Sequence, residues 1–525
     1  MIKWLGLILA LGLVLRLIMM ATIPGELFGD EVDVGYQAYS LFKTGKDLYG
    51  QTLPLYIHSL SEWRAPLLMY ATVPTIAVFG LNEYGVRLPE VILGALAPLI
   101  LFFLVRKTTN SAPLSLSVSM ALAIMPWHIH YSRVAFEVVL LINLLMLGTL
   151  LFLKKSYLWG SLFFVLSLYT YSTSLVFVPL WVGYLSLRHL RATSKGLFLL
   201  FILSLPLIYF IFLGPARDRF GMLSLGNSRE LIDRIYVLRS QDPSFWSRFF
   251  VNKPLTIAGS WWLNYLRAFS LEFLFVRGDP VMRHSIQVIG QLLPLSAPFL
   301  LLGLYALIKQ RQWMWLAWLV LSPIPASLTS DGGFHATRLF LMVPPLAVVI
   351  GMGLFQIKNK FLLTICYLLF ALQLVWVGYY YGVFYRREAW RWWHTGYKQI
   401  FTSLSTVDVS YNRVFINNTY EPSLIRFLFW TKFDPARFQK DFVLDQSQKD
   451  ILPGYDGFSL GSKYIFGRFN KPNYSLLPGA VYLISQREEV AGDWDFEKSP
   501  PDGVKVISTS RDPYGRPLFY LVTKK

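Results

Sequence analysis

The sequence predicts a polytopic α-helical membrane protein with a small α/β domain at its C-terminal end. Three observations carry that prediction. Of the 525 residues, 54% are hydrophobic and 15% charged, and the mean hydropathy is +0.45, outside the range of a soluble domain of this size. Apolar runs long enough to cross roughly 30 Å of hydrocarbon recur up to about residue 385. Beyond that point the composition turns polar and short β-rich runs replace the long apolar ones.

The apolar runs begin near residues 4, 88, 112, 134, 157, 175, 196, 287, 313, 338 and 360, which makes about eleven spans. Lys and Arg in short connections are retained on the cytoplasmic side of a membrane. Lys3, Arg106/Lys107, Lys154/Lys155, the Arg188, Arg191 and Lys195 group, Lys309/Arg311 and Lys358/Lys360 all fall on one side, whereas the short turns opposite hold only Arg133 and Arg338. The N-terminus is therefore expected inside. The outside receives residues 24–87, 128–133, 214–286, 329–338 and everything beyond about 385. The first span is expected to be retained: no A-x-A-like site precedes the acidic stretch and Arg16 interrupts the apolar run, so it does not read as a cleaved signal. Residues 66–80, PLLMYATVPTIAVFG, are apolar but short and broken by Pro74, which predicts a juxtamembrane or re-entrant helix.

Residues 386–400, RREAWRWWHTGYKQI, mix Arg with Trp and Tyr and predict an amphipathic helix in the headgroup region. After it, RVFINN, AVYLISQ, GVKVIST and LFYLVTKK read as strands, and PSLIRFLFWTKF has helical spacing. The expected organisation is a membrane domain over 1–385, with outer loops at 24–87 and 214–286, and an extracytoplasmic α/β domain over 386–525.

The net charge of +18 lies largely in the cytoplasmic turns, where it serves topology and contact with anionic lipid; nucleic acid is excluded as a partner. The single cysteine, Cys366, falls inside the last span, which excludes a disulfide framework and a thiolate metal site. No Walker loop, HExxH or internal repeat is present.

Four groups can carry chemistry. Asp30, Glu31 and Asp33 stand in GELFGDEVDVGYQAYS just after the first span. A carboxylate that accepts a proton from an attacking hydroxyl must be ionised at neutral pH, which an ordinary Asp is. The alternative is that these acids, with Glu26, solvate a loop and cap a helix beginning near Val34. Arg133 and Glu137, four apart at the outer start of the fourth span, either serve the site or pair along a helix. His335 and Arg338 lie three apart in SDGGFHATRLFLMVPP, and Arg283 and His284 in RGDPVMRHSI. Arginine suits a phosphate because its planar fork offers paired donors and stays charged; snorkelling to the headgroups is the alternative. All four groups fall on one face of the membrane. That matches transfer of a sugar from a lipid-linked phosphate, with cations on the leaving phosphate and a carboxylate on the acceptor's proton.

These residues resemble the membrane glycosyltransferases of the GT-C fold, in particular the bacterial relatives of the protein O-mannosyltransferases and the aminoarabinose transferases. FGDEVDVGYQAYS is similar to the first-loop signature of that group, RAPLLMYATVPTIAVFGLNEYGVRLPEVILGAL to its juxtamembrane segment, and YSRVAFEVVL to its second acidic motif, with Glu137 where Asp is common. RGDPVMRHS, FHATRLFLMVPP and VFINNTYEPSLIRFLFWTKFDPARFQ are also similar to recurring segments. The resemblance implies Asp30 as catalytic base, Glu31 beside it in support and Glu137 as the second acid. Arg338, His335, Arg283, His284 and Arg133 are expected on the donor phosphate, and Asp33, Tyr36 and Arg64 on the acceptor or cavity side. Asp33 stands where eukaryotic relatives often have His, so that residue's role does not carry over, and no MIR-type domain interrupts the long outer loop.

The implied reaction is inverting transfer from a polyprenyl-phosphate-linked sugar to an acceptor hydroxyl of protein, lipid or glycan on the extracytoplasmic side of a prokaryotic plasma membrane. A divalent metal is left open; Asp30, Glu137, His128 and His130 are the residues that can approach one. Two alternatives stand beside this reading: a lipid-directed transferase whose anionic acceptor needs no base, and a flippase for lipid-linked sugars. The flippase requires ionisable residues deep in several spans, and the spans hold few.

Overall fold

The computed structural model describes residues 1–59, 63–187, 190–214, 225–418, 422–442, 455–469, 476–490 and 492–525; Arg188 and residues 215–224 of the long outer loop lie outside them. The chain divides into two compact units. One comprises Met1–Met20, Leu55–Leu68 and Arg87–Gly382; the other comprises Ala21–Pro54, Met69–Val86 and Val383–Lys525.

A helix occupies each expected span of the first unit: Ile2–Leu17, Glu83–Thr109, Ala112–Ala123, Val138–Leu153, Tyr157–Leu168, Ser174–Ser186, Leu190–Phe212, Ala297–Lys309, Trp313–Leu321, Val343–Phe355 and Lys360–Tyr380. Three helices among the described residues, Glu83–Thr109, Leu190–Ile211 and Lys360–Glu388, are long and apolar enough to cross a membrane. The chain is an integral membrane protein. Two helices start five or six residues earlier than expected, at Glu83 and Leu190, and three start later. The fourth begins at Val138, the eighth at Ala297 and the tenth at Val343, because the apolar residues before them (Val134, Ala135, Ile289, Leu292, Leu293) are buried in turns against protein.

Without a hydrophobic drive between helices in lipid, small residues set how closely helices approach. A methyl group on Gly303 would overlap the Val349 carbonyl and one on Gly353 the Phe299 carbonyl, so helices Ala297–Lys309 and Val343–Phe355 touch backbone to backbone. At Gly148 a methyl group would stand 2.8 Å from the Phe164 ring, which brings Val138–Leu153 and Tyr157–Leu168 together.

In the second unit a six-stranded sheet runs in the order Tyr455–Leu460, Tyr464–Phe469, Arg413–Asn417, Ala480–Ser485, Pro517–Lys524, Val504–Arg511. The central strand Arg413–Asn417 is parallel to both neighbours and the outer pairs are antiparallel. Its core stacks Phe415 on Tyr482, with ring centroids 4.5 Å apart. The four expected strands and the helix Leu424–Trp430 are present; Tyr455–Leu460 and Tyr464–Phe469 are additional. Residues 386–400 do not form one amphipathic helix: Lys360–Glu388 runs on to Glu388, turns follow with Trp390 and Trp393 buried, and a new helix starts at Tyr397. Leu67–Phe79 is the expected short helix, with Pro74 inside it.

Candidate active site

In the first unit, three turns that follow or precede apolar helices bring the predicted cations together. The Tyr131 hydroxyl lies 2.9 Å from His284 Nδ1 and 2.8 Å from Thr337 Oγ1, and Thr337 Oγ1 lies 3.2 Å from His284 Nδ1. The His284 and His335 rings sit with centroids 5.1 Å apart. Asp279 fixes this arrangement: its Oδ2 accepts the Ala336 amide at 2.8 Å and its Oδ1 the Val281 amide at 2.8 Å, which joins the loop carrying Arg283 and His284 to the loop carrying His335 and Arg338. Burial raises the Asp279 carboxyl to about 6, although both amides oppose the shift. Burial, with the nearby cations, holds His284 and His335 below the usual histidine range, so both rings are neutral at pH 7 and positive charge comes from the arginines.

Arg338 does not snorkel. It is largely buried, and its Nη1 donates to Thr329 Oγ1 at 2.7 Å and to the Asp331 carboxylate. His335 and Arg338 share a single helical turn, closed by the Leu339 amide on the His335 carbonyl at 3.0 Å, rather than a helix.

Arg133 departs from expectation. Its Nη1 and Nη2 donate to the carbonyls of Leu15 and Ile18 at 2.8 and 2.5 Å, at the C-terminal end of helix Ile2–Leu17, and its guanidinium lies over the Tyr381 ring. The last carbonyls of a helix lack partners inside it and carry its negative dipole end, which a buried arginine satisfies. Arg133 is thus a helix cap, in place of a donor-phosphate ligand. Arg87 joins it by donating to the Met20 carbonyl at 2.8 Å, and Arg16 donates to the Gly12 and Ala123 carbonyls and to His128 Nδ1. Glu137 lies at the N-terminal end of Val138–Leu153 and Arg133 in the preceding turn, so their four-residue spacing does not run along a helix. Glu90 is buried in the neighbourhood of Glu137.

Both ring nitrogens of His130 are engaged by protein groups. A carbonyl only accepts, so His130 Nε2, 2.8 Å from the Arg283 carbonyl, carries the ring proton, and Nδ1 accepts from the Tyr381 hydroxyl at 2.8 Å. His128 Nδ1 faces Arg16. Among the described residues no group of three or more His, Cys, Asp or Glu side chains stands as a metal-ligand set. Arg64, in the two-residue ladder Ile57–His58 with Trp63–Arg64, is buried.

In the second unit the acidic stretch is helical from Gly29, five residues before the expected start near Val34, and runs to Thr44. Asp30 and Glu31 occupy its first turn, where the dipole favours anions. The Glu31 carboxylate turns back to accept the Phe28 amide at 3.0 Å, and Asp33, one turn on from Asp30, is buried. Tyr36 is wholly buried and donates to the Phe433 carbonyl at 2.8 Å, a packing contact rather than the expected cavity position. Gly35 lets Phe429 and Val86 approach: a methyl group there would meet both at 2.6 Å. Sequence reasoning missed Arg426 and His394. Arg426 is buried, with Nη2 2.5 Å from His394 Nδ1 and 3.1 Å from where a methyl group on Gly29 would stand, so a guanidinium lies beside the start of the acidic helix. Glu26 accepts the amides of Gly396 and Lys398, and burial raises its carboxyl to about 7.

No protein-family model and no curated protein matches the sequence. Among solved structures, ArnT from Cupriavidus metallidurans bound to undecaprenyl phosphate superposes with a TM-score of 0.56 at 13% identity, over 99% of this chain and 98% of that one. The chain has the GT-C fold. The apo state of the same ArnT (TM-score 0.44, 11% identity, 99% and 98% covered) and the Archaeoglobus fulgidus oligosaccharyltransferase (TM-score 0.46, 12% identity, 82% of this chain and 63% of that one) are more distant, and the fold does not rest on them.

Proposed function

We propose that the chain is an inverting glycosyltransferase that moves a sugar from a polyprenyl-phosphate-linked donor to an acceptor hydroxyl on the extracytoplasmic face, through about eleven membrane spans. The observation that carries this reading is the convergence of Arg283, His284, His335 and Arg338 on one pair of loops tied by Asp279, in a chain with the fold of an ArnT that was crystallised with undecaprenyl phosphate. Neutral imidazoles and charged guanidiniums together supply donors to a phosphate without accumulating repulsion among themselves.

In the reaction, the acceptor oxygen attacks the anomeric carbon, the bond from that carbon to the phosphate oxygen breaks, and polyprenyl phosphate departs with the bonding electrons. Arg338, helped by Arg283, stabilises the phosphate. Asp30 takes the acceptor proton, Glu31 holds the first turn of its helix, and Glu137 is the second acid. Binding to Arg338 exchanges its bond with Asp331 for one to the phosphate, so Asp331 competes with the donor. The catalytic domain is 1–385, and 386–525 is an outer domain that either recognises the acceptor or covers the cavity.

The reading is tested by assaying purified protein with short-chain polyprenyl-phosphate sugars and peptide, lipid and glycan acceptors. Arg338→Ala should weaken donor binding about 10- to 100-fold. Unchanged donor affinity in Arg338→Ala would contradict the phosphate assignment.

A further inference from the structure

Residues 228–267 were expected as part of the outer loop 214–286, and the structure makes them three capped helices with an inverted surface. Ser228, Ser244 and Asn252 cap the amides of Leu231, Ser247 and Leu255, which start helices Arg229–Gln241, Phe245–Phe250 and Lys253–Arg267. Arg239 Nε donates to the Val251 carbonyl at 2.7 Å and folds the first helix back on the third.

In Lys253–Arg267 the polar residue points inward: Asn264 is buried and donates to the Thr329 carbonyl at 2.9 Å, while the Tyr265 hydroxyl reaches the Val320 carbonyl at 2.9 Å. Leu255, Trp262 and Leu266, which share one stripe at helical spacing, are exposed, with Leu263 beside them. The short helix is more extreme. Phe245, Trp246, Phe249 and Phe250 are 73%, 64%, 57% and 61% exposed and stack on one another instead of on the protein. A surface facing water does not expose four aromatic side chains in one turn and a half. Aromatic rings flanked by cations favour the headgroup boundary of a bilayer. Six cations (Arg229, Arg234, Arg239, Arg248, Lys253, Arg267) against three acids (Glu230, Asp233, Asp242) give the segment a net charge of +3.

We propose that residues 228–267 are an in-plane membrane anchor that docks on a bilayer surface rich in anionic headgroups. The apolar stripe and the aromatic turn enter the interface, and the cations meet lipid phosphates. The anchor is joined to the cationic loops, because Thr329 accepts from Asn264 through its carbonyl and from Arg338 through its hydroxyl.

The single native cysteine makes the test direct. In a Cys366→Ser background, nitroxide labels are placed by Phe250→Cys, Leu263→Cys and, as an aqueous control, Asp502→Cys, and the full chain is put into nanodiscs of anionic or zwitterionic lipid. Oxygen relative to nickel-chelate accessibility should be about tenfold higher at 250 and 263 than at 502, as for side chains several ångströms into the interface, and should fall on replacing anionic lipid or with Arg248→Glu/Lys253→Glu. Labels at 250 and 263 as open to the chelate as the one at 502 would overturn the anchor. So would spin–spin broadening between two copies without lipid contact, and equal depth in both lipids would overturn the anionic preference.

Discussion

Arg133 and Arg338 both stand in short outer turns, and the structure assigns them different work. Arg133 sits on the carbonyls of Leu15 and Ile18, whereas Arg338 is held by Thr329 and Asp331 beside two neutral histidines. Arg133→Ala should therefore cost about 2–3 kcal/mol of stability, read by thermal unfolding in detergent, with little change in donor affinity per folded molecule. Asp331→Asn should tighten donor binding severalfold by removing the carboxylate that competes for Arg338; weaker binding would contradict that competition. Sequence alone could not separate the two arginines, since both are isolated cations next to apolar runs and only the path of the backbone decides which carbonyls one of them meets. Asp279, Arg426 and His394 were illegible for a related reason: each acts on groups distant in sequence.

At the scale of elements, helices were readable because an apolar run declares itself whatever it packs against. Their starts were not, because buried turns such as 132–137 and 287–293 carry apolar residues of their own, Val134, Ala135 and Phe136 in one and Ile289, Leu292 and Leu293 in the other. The strands Tyr455–Leu460 and Tyr464–Phe469 escaped notice because Gly457 and Gly467, which face each other in register, break the β-rich pattern. Gly457 is required there, as a methyl group would overlap the Phe466 carbonyl. The acidic helix depends on glycine in the same way. Gly35→Ala should destabilise the unit that contains it by about 1–3 kcal/mol, because Phe429 and Val86 must shift to admit the methyl group; an unchanged unfolding midpoint would contradict that packing.

For the whole molecule, composition, charge asymmetry and the quoted motifs together made the fold class legible, and the TM-score of 0.56 to ArnT agrees with it. The site was legible in its residue types more than in their partners. The pH dependence of stability belongs to this scale. Glu26 and Glu489 both titrate near 7 against an ordinary 4.5, mainly through burial, so the folded chain holds these protons more tightly than the unfolded one. Their contribution to stability is therefore largest below about 4.5 and declines as pH rises toward 7. Glu26→Gln should flatten that decline when unfolding midpoints are compared with wild type across the window, and parallel profiles would contradict it.

Sugar transfer with Asp30 as base is tested by comparing Asp30→Asn with wild type for both transfer from a polyprenyl-phosphate sugar and binding of that donor. Transfer should fall about 10²- to 10⁴-fold with donor affinity retained. Transfer at the wild-type rate would contradict the role of Asp30, and donor binding by wild type without transfer to any acceptor would contradict the enzymatic reading itself.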